Sequence, residues 1–209
     1  MTRYLIFDLD NTLYSSRYGL EENFRERMEK YVAGVLGITA EEFWKERKAL
    51  SNKYGTTLEW LMNEKGFTDI EPYLAAVHPK GEADNLLPDP QLKIFLENIP
   101  IPKAILTNSP MEHVTLVLDK LGIPVSLFTH IFDIRQFAFK CKPHPETYDR
   151  VLKILGVKLN EVLFIDDNPM YAQYFINMGG RALLIDEENI LTDYPHQKIR
   201  DLKEITRYL

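Results

Sequence analysis

Short apolar runs alternate along the chain with longer stretches of helical periodicity, the pattern of strand–helix units around a parallel sheet. The runs are rich in Ile, Leu, Val and Phe, which is typical of strands that helices cover on both faces. They occupy residues 4–7, 103–106, 131–134, 162–165 and 182–185. The pattern predicts an α/β fold with three layers, in which a Rossmann-like parallel sheet lies between helices.

Several helices in the second half of the chain carry start and stop residues. Ser109-Pro110-Met111-Glu112 has the pattern of a capping box with proline at the first helical position, and Gly122 is placed to end that helix. Asn168-Pro169 repeats the arrangement of cap and proline, and Gly179-Gly180 follows that helix.

Residues 14–87 show only helical patterns. Apolar residues recur at helical spacing at Leu20, Phe24, Met28, Tyr31, Val32 and Val35. Thr39-Ala40-Glu41-Glu42 is a second capping box, Thr57 is placed to cap a third helix, and Leu87-Pro88-Asp89-Pro90 has the composition of a turn or hinge. We therefore expect a catalytic core of residues 1–13 and 88–209, with an all-helical cap of residues 14–87 inserted into it.

Composition limits the class of partner. The 25 basic and 31 acidic side chains give a formal net charge of −6, which disfavours binding to a nucleic-acid polymer. A single cysteine excludes a disulfide framework. No apolar run reaches the length of a membrane span, and the first residues lack a signal-peptide pattern. We expect a cytoplasmic protein without a membrane partner, either monomer or homodimer.

Polar residues gather where the predicted strands end. Asp8-Leu9-Asp10-Asn11-Thr12 follows the first strand, Thr107-Asn108 the second, Lys140-Cys141-Lys142-Pro143 the third and Asp166-Asp167 the fourth. The carboxyl ends of parallel strands meet at one edge of a sheet, where ligands bind. Four carboxylates this close repel one another unless a cation lies among them. Carboxylate and carbonyl oxygens completed by substrate phosphate suit Mg²⁺.

Such a site favours phosphoryl transfer. A carboxylate beside the cation can attack phosphorus and form an aspartyl-phosphate. An acid two residues further on can protonate the leaving oxygen and later deprotonate the attacking water. Hydroxyl, amide and lysine groups would offset the charge of the transferred group.

These four segments resemble, in order, the four motifs of the haloacid dehalogenase-like (HAD) hydrolase superfamily, and the similarity extends over nearly the whole chain. Further short segments resemble the pyrimidine 5′-nucleotidase branch of that superfamily. They are Leu13-Tyr14, Tyr54-Gly55, Val77-His78, Pro88-Asp89-Pro90, Thr107-Asn108 with His113, and Cys141-Lys142-Pro143-His144.

The resemblance implies a role for each matching residue. Asp8 corresponds to the nucleophile and Asp10 to the general acid/base, with Lys142 as the catalytic lysine. Phosphate contacts are implied for Leu9, Asp10, Thr107, Asn108 and Lys142. The metal ligands are then the Asp8 carboxylate, the Asp10 carbonyl, Asp167 and, directly or through water, Asp166. Tyr171 stands where relatives often have a further acid.

Specificity residues are expected where the first motif leads into the cap. Tyr14, Arg17 and Tyr18 lie there, with hinge packing as the alternative role. His113, one turn into the helix after Ser109, either faces the site or is buried in the helix packing. Residues 14–87 combine many aromatics with few clustered basic residues, which favours monophosphates over di- and triphosphates.

The sequence thus predicts a magnesium-dependent phosphomonoester hydrolase that acts on a small phosphorylated metabolite, above all a pyrimidine nucleoside 5′-monophosphate. A sugar-phosphate phosphatase or phosphomutase would keep the same four motifs. A 2-haloacid dehalogenase is disfavoured because such relatives lack the second acid, here Asp10. A phosphoacceptor signalling module is disfavoured because its acidic pair follows the first strand, whereas Asp166-Asp167 comes last.

Overall fold

One parallel sheet organises the chain in the computed structural model, which describes residues 2–50 and 53–209. Its strands are β1 (Tyr4–Phe7), β2 (Lys103–Leu106), β3 (His130–Phe132), β4 (Val162–Asp166), β5 (Arg181–Ile185) and β6 (Lys198–Ile199), in the order β3-β2-β1-β4-β5-β6. The strand order reverses at β1, which pairs with both β2 and β4. A ligand site is therefore expected beyond the carboxyl end of β1.

The predicted strands agree with this sheet except at some ends. β3 stops at Phe132, two residues early, because Asp133 caps a 3₁₀ turn over Ile134–Phe137. β4 extends by one residue to Asp166, and β5 begins one residue early at Arg181. The two-residue strand β6 was not predicted, since so short a segment shows no periodicity.

Alternate residues of the central strands point to opposite faces, and each face is covered by helices. Leu5 and Phe7 pack in one core cluster, together with α5 (Pro90–Asn98), α6 (Met111–Leu121) and the helices that follow β1. Tyr4 and Ile6 pack in the other cluster, with α7 (Pro145–Leu155) and α8 (Pro169–Asn177). This arrangement confirms the three-layer α/β fold.

The segment between β1 and α5 is helical, as its pattern predicts. It contains α1 (Leu20–Leu36), α2 (Ala40–Ala49), α3 (Thr57–Lys65) and α4 (Ile70–Val77), and α1 packs against α2 and α4. The capping box at Thr39 is formed. The cap of α3 is Thr56, one residue before the predicted Thr57.

The two predicted helix starts in the second half of the chain have different outcomes. The Asn168 side chain accepts a hydrogen bond from the Met170 N–H, with proline at the start of the helix as predicted. The capping box at Ser109 is wrong: Pro110 occupies the N-cap position of α6, and the first N–H of the helix, that of Met111, donates to Asp133 Oδ2 over 3.2 Å. Across residues 2–50 and 53–209, no helix is long and apolar enough to cross a membrane.

Candidate active site

A buried lysine connects two of the predicted carboxylates. Asp8 follows β1 directly, and Asp166 ends the adjacent strand β4. The Nζ atom of Lys142 lies 2.8 Å from Asp8 Oδ1 and 2.7 Å from Asp166 Oδ2, and the lysine is 1% exposed. Lys140, the other lysine of this segment, is exposed and its Nζ lies 3.7 Å from Glu146 Oε1. The structure therefore brings Lys142, and not Lys140, to the ends of β1 and β4.

Three carboxylates converge beside this lysine. One oxygen from each of Asp8, Asp166 and Asp167 lies within 4.8 Å of the others. Asn11 helps to shape the group: it adopts a left-handed φ of 54°, which asparagine tolerates, and its Nδ2 donates to Asp167 Oδ2 over 3.2 Å. The Asn11 Oδ1 atom is buried and has no hydrogen-bond partner among the described residues.

The protein alone does not balance the negative charge of the three carboxylates. Burial, opposed by Lys142 and reinforced by Asp166, raises the pKa of Asp8 to about 7. Burial and repulsion from Asp166 and Asp8 also raise the pKa of Asp167 well above its ordinary value. An all-oxygen donor set with excess negative charge and an unpaired amide oxygen fits a hard divalent cation such as Mg²⁺. Asp8, Asp166 and Asp167 are the residues that would hold it.

Asp10 is held by three donors. Tyr14 Oη and His113 Nε2 lie 2.6 and 2.7 Å from its Oδ1, and the Ser109 hydroxyl donates to its Oδ2 over 2.8 Å. Burial would raise the pKa of Asp10, but the charge of His113 and these hydrogen bonds hold it below its ordinary value. The Asp10 carboxylate is therefore ionised and fixed in orientation.

A second buried acid supports His113 from its other side. Glu82 Oε1 lies 2.6 Å from His113 Nδ1, and Glu82 also contacts His78 and Arg27. Burial opposes protonation, but Asp10 and Glu82 together raise the pKa of His113 to about 10. His113 is thus both buried and in contact with Asp10. Sequence reasoning missed Glu82, which lies between α4 and α5 outside every motif.

The loop after β2 fixes the backbone around Lys142. Asn108 Oδ1 accepts from the Lys142 N–H, and Asn108 Nδ2 donates to the Lys142 carbonyl, both over 3.0 Å. The Thr107 hydroxyl accepts from the Ser109 N–H over 3.0 Å. The Leu9 side chain is buried in the core, and its carbonyl accepts from the N–H groups of Thr12 and Leu13.

A cavity of about 600 Å³ lies between the helical segment and this loop. Asn108, Ser109 and Tyr171 line its side toward the sheet, and Tyr171 Oη lies 3.1 Å from Asn108 Nδ2. Residues from the helical segment line the rest, among them Phe24, Arg25, Trp44, Arg47, Lys48 and Tyr73. The cavity therefore adjoins the loop that holds Lys142 and contacts Asp10.

Three of the predicted specificity residues lie elsewhere. Arg17 is exposed and pairs with Glu188 over 3.3 Å, while Tyr18 packs against the core. Tyr14 holds Asp10 and does not line the cavity. The expectation of few clustered basic residues is wrong, because Arg25, Arg47 and Lys48 line one cavity. Local sequence could not show this, since the three meet only when α1 packs on α2.

Comparison with known proteins identifies the family. The family model "Hydrolase: haloacid dehalogenase-like hydrolase" matches residues 2–179. The chain is 26% identical to (S)-2-haloacid dehalogenase of Xanthobacter autotrophicus over 181 aligned residues, covering 80% of this chain and 68% of that protein. Among solved structures, an HAD phosphatase from Thermococcus onnurineus matches with a TM-score of 0.68 and 19% identity, over 100% of this chain and 97% of the other. The magnesium-bound putative HAD-hydrolase YfnB of Bacillus subtilis matches with a TM-score of 0.60 and 17% identity, over 100% and 98%.

Proposed function

The chain belongs to the haloacid dehalogenase-like hydrolase family, and we propose that it is a magnesium-dependent phosphatase that works through an aspartyl-phosphate. One observation carries the proposal. Asp8 lies against Lys142 and next to two further carboxylates, while a second acid, Asp10, is held in place by three donors. A nucleophile, a charge-offsetting cation and a separate acid are the groups that this chemistry requires.

The residues would act in two steps. An oxygen of Asp8 attacks phosphorus, a new P–O bond forms, and the bond to the leaving alcohol breaks as that oxygen takes a proton from Asp10. Asp10 receives this proton from the protonated His113, whose Nε2 lies 2.7 Å from Asp10 Oδ1. Asp10 then takes a proton from water, the water oxygen attacks phosphorus, and the bond to Asp8 breaks to release phosphate. Lys142, Thr107, Asn108 and the segment Leu9-Asp10 would offset the phosphoryl charge. Mg²⁺ held by Asp8, Asp166 and Asp167, with the Asp10 carbonyl, would supply further charge stabilisation.

The substrate we propose is a nucleoside 5′-monophosphate, with pyrimidine nucleotides preferred. The short segments shared with the pyrimidine 5′-nucleotidase branch support this choice, as does a cavity with aromatic walls at Phe24, Trp44 and Tyr73. The sequence predicted weak binding of di- and triphosphates because it showed few clustered basic residues. Arg25, Arg47 and Lys48 line the cavity, so that reason no longer holds. Di- and triphosphates therefore belong among the compounds compared.

Dehalogenation is the second candidate because the curated relative is an (S)-2-haloacid dehalogenase. In that reaction the same aspartate would attack carbon and displace halide. Asp10 distinguishes the two candidates, since an acid held in place by Tyr14, Ser109 and His113 can exchange a proton with a leaving oxygen, whereas a halide ion leaves without a proton. Halide release from 2-chloropropionate tests this candidate directly.

Phosphate release tests the main proposal. The panel contains uridine and cytidine monophosphates, a purine monophosphate, a triphosphate and several sugar phosphates, each with Mg²⁺ or with chelator. We expect magnesium-dependent release that is greatest for the pyrimidine monophosphates and absent in Asp8→Asn. The matched control is Asp193→Asn, which changes an exposed acid in the same way. Full activity in chelator, or halide release without phosphate release, would overturn the phosphatase proposal.

A further inference from the structure

The imidazole of His113 lies between two carboxylates, one at each ring nitrogen. Asp10 Oδ1 lies 2.7 Å from Nε2, and Glu82 Oε1 lies 2.6 Å from Nδ1. The side chains of His113 and Glu82 are 0% and 1% exposed. Asp10 has a role in the proposed reaction, and Glu82 lies on the opposite side of the ring from it. A single buried imidazole therefore connects Glu82 to the proposed general acid.

Glu82 is held in place by contacts with the helical segment. Its Oε2 lies 3.2 Å from Arg27 Nη2 on α1 and 3.2 Å from His78 Nδ1 at the end of α4. The ring of Phe24, also on α1, is perpendicular to that of His113, with the ring centres 5.0 Å apart. Burial raises the pKa of Glu82, but hydrogen bonds from His113 and His78 hold it below its ordinary value. Glu82 is thus an ionised acceptor in a fixed position beside His113.

Two ionised carboxylates determine which hydrogens the imidazole carries. A carboxylate only accepts hydrogen bonds, so each ring nitrogen that faces one has to donate. Nδ1–H of His113 then donates to Glu82, and Nε2–H donates to Asp10. The hydrogen bond at one ring nitrogen sets the state of the other. Because Glu82 holds the hydrogen on Nδ1, the transferable proton is the one on Nε2, beside Asp10.

We propose that Glu82 is a positioning residue for the proton transfer that Asp10 performs. It keeps one hydrogen on His113 Nδ1 and orients the ring so that Nε2–H faces Asp10. The inference rests on the proposed phosphatase function and adds to it a residue outside the four motifs. A buried carboxylate sets the tautomer and orientation of histidine in the same way in the Ser-His-Asp triad.

The proton moves between defined atoms in this arrangement. The Nε2–H bond of His113 breaks, its electron pair stays on Nε2, and the proton passes to Asp10 Oδ1. The ring that remains is neutral and keeps its Nδ1–H bond to Glu82. Asp10 gives the proton to the leaving oxygen as the bond from that oxygen to phosphorus breaks. In the second step Asp10 takes a proton from the attacking water and returns it to Nε2, so all three side chains end the cycle as they began it.

Exchange of Glu82 for glutamine tests this role. E82Q keeps the size of the side chain, but its amide can donate to Nδ1 and so stabilise the neutral ring that carries hydrogen on Nε2 alone. That ring cannot give its proton to Asp10 without becoming an anion. The loss should appear where the leaving oxygen needs a proton, and a nitrophenolate needs none.

Two esters measure that difference. They are 4-nitrophenyl phosphate and uridine 5′-monophosphate, the latter replaced by the alkyl phosphate of the panel that is hydrolysed fastest if it is itself a poor substrate. We expect E82Q to lower kcat/KM for the alkyl ester at least about tenfold more than for the nitrophenyl ester. If Glu82 only stabilises the fold, both values fall equally, and that outcome overturns the proposal.

Two further variants show whether the effect passes through His113. E59Q makes the same exchange at another buried glutamate of the helical segment, whose Oε2 lies 2.8 Å from His144 Nε2, and it should leave the ratio of the two kcat/KM values unchanged. In H113N protein, E82Q should change that ratio no further, because a residue that acts through His113 has no effect once the imidazole is gone. Additive effects of E82Q and H113N on the ratio would contradict the positioning role.

A measurement on the wild type needs no variant that carries a change at Glu82. Nitrogen NMR of protein labelled in its histidine rings should show hydrogen on both Nδ1 and Nε2 of His113 at neutral pH, with the signals assigned by their loss in H113N. A bare Nδ1 overturns the proposal. If the wild type hydrolyses no phosphate ester, the phosphatase proposal fails, and the NMR signals alone decide whether Glu82 holds the hydrogen on Nδ1. Hydrolysis of both esters with an unchanged ratio in E82Q leaves the phosphatase proposal standing and overturns the positioning role.

Discussion

Asp10 shows how one side chain can be recognised from sequence while its environment is not. The first motif identifies Asp10, and one of its hydrogen-bond donors, Tyr14, lies only four residues further along the chain. Ser109, however, contacts it across 99 positions of the chain. Ser109 also fits a helix-capping pattern, and that local pattern misled the sequence-based prediction. The tertiary contact prevails because the Ser109 hydroxyl satisfies a buried charge, while Asp133 accepts from the first N–H of the helix.

Replacing Asp10 separates its two proposed roles. Asp10→Asn removes proton delivery to the leaving oxygen but keeps the backbone carbonyl at this position. The physical consequence depends on the leaving group, because a nitrophenolate departs without a proton and an alkoxide does not. We expect kcat/KM to fall far more for alkyl phosphates than for nitrophenyl phosphate. Equal losses for both would contradict an acid/base role.

The contacts of His113 with Asp10 and Glu82 should make the free energy of unfolding depend on pH. Because its pKa is raised from 6.5 to about 10, the folded state binds more protons than the unfolded state between these values. The stabilisation is complete below about pH 6.5 and is lost as the pH rises through about 10, by at most ~1.4 kcal/mol per pH unit.

Chemical denaturation in chelator measures this effect. The difference in free energy of unfolding between the wild type and His113→Asn should shrink steadily from pH 6.5 to 10. A difference that stays constant across this range would show that His113 is neutral in the folded protein.

At the scale of elements, strand ends are predictable and contacts between loops are not. Buried strands leave apolar runs, so the polar residues that follow them mark one edge of the sheet. That reasoning predicted that Asp8, Thr107, Lys142 and Asp166 lie near this edge, and in the structure Lys142 contacts both Asp8 and Asp166. It could not find the contact of the Tyr54-Gly55 loop with Lys142, because nothing in the local pattern of either segment encodes their meeting.

This contact is tested by substituting glycine. In Gly55→Ala the new Cβ would lie 2.2 Å from the Lys142 carbonyl oxygen and 2.7 Å from Pro143 Cδ, so the loop has to move. We expect a loss of about 1–3 kcal/mol in stability, typical of overpacking, together with reduced kcat. Gly34→Ala on α1 is the matched control, because among the described residues no atom beyond the neighbouring helix backbone lies within 4 Å of its added Cβ. That variant should be neutral or more stable by up to about 1 kcal/mol. An unaffected Gly55→Ala would contradict the close packing.

Over the whole molecule, buried and exposed polar contacts link the helical segment to the elements that follow strands β2 and β3. Glu82 connects the segment after α4 to His113, and Arg135 pairs with Glu71 over 2.7 Å. The α/β class and the helical insertion were predictable because each depends on periodicity within short windows. The cationic cavity wall was not, since its position depends on how α1 and α2 pack together.

The proposed magnesium site predicts that stability depends on metal. Mg²⁺ at this site would bind only the folded arrangement of Asp8, Asp166 and Asp167, so it should raise the thermal midpoint, and Asp167→Asn should reduce that rise while Asp193→Asn should not. Because the pKa of Asp8 is about 7, bound metal has to displace a proton at lower pH. The apparent affinity for Mg²⁺ should therefore increase from pH 5 to 7. A thermal midpoint that does not change when Mg²⁺ is added would contradict the proposed site.

The proposed nucleophilic role of Asp8 is tested most directly by trapping the phosphorylated enzyme. In Asp10→Asn, water attack loses its base, so a phosphorylated enzyme should accumulate with a nitrophenyl phosphate substrate and Mg²⁺. Acid quenching and peptide mass spectrometry should find one phosphoryl group on the peptide that contains Asp8, and none after Asp8→Asn is added. Phosphate release with an unmodified Asp8 peptide, or a phosphoryl group on another residue, would contradict the account.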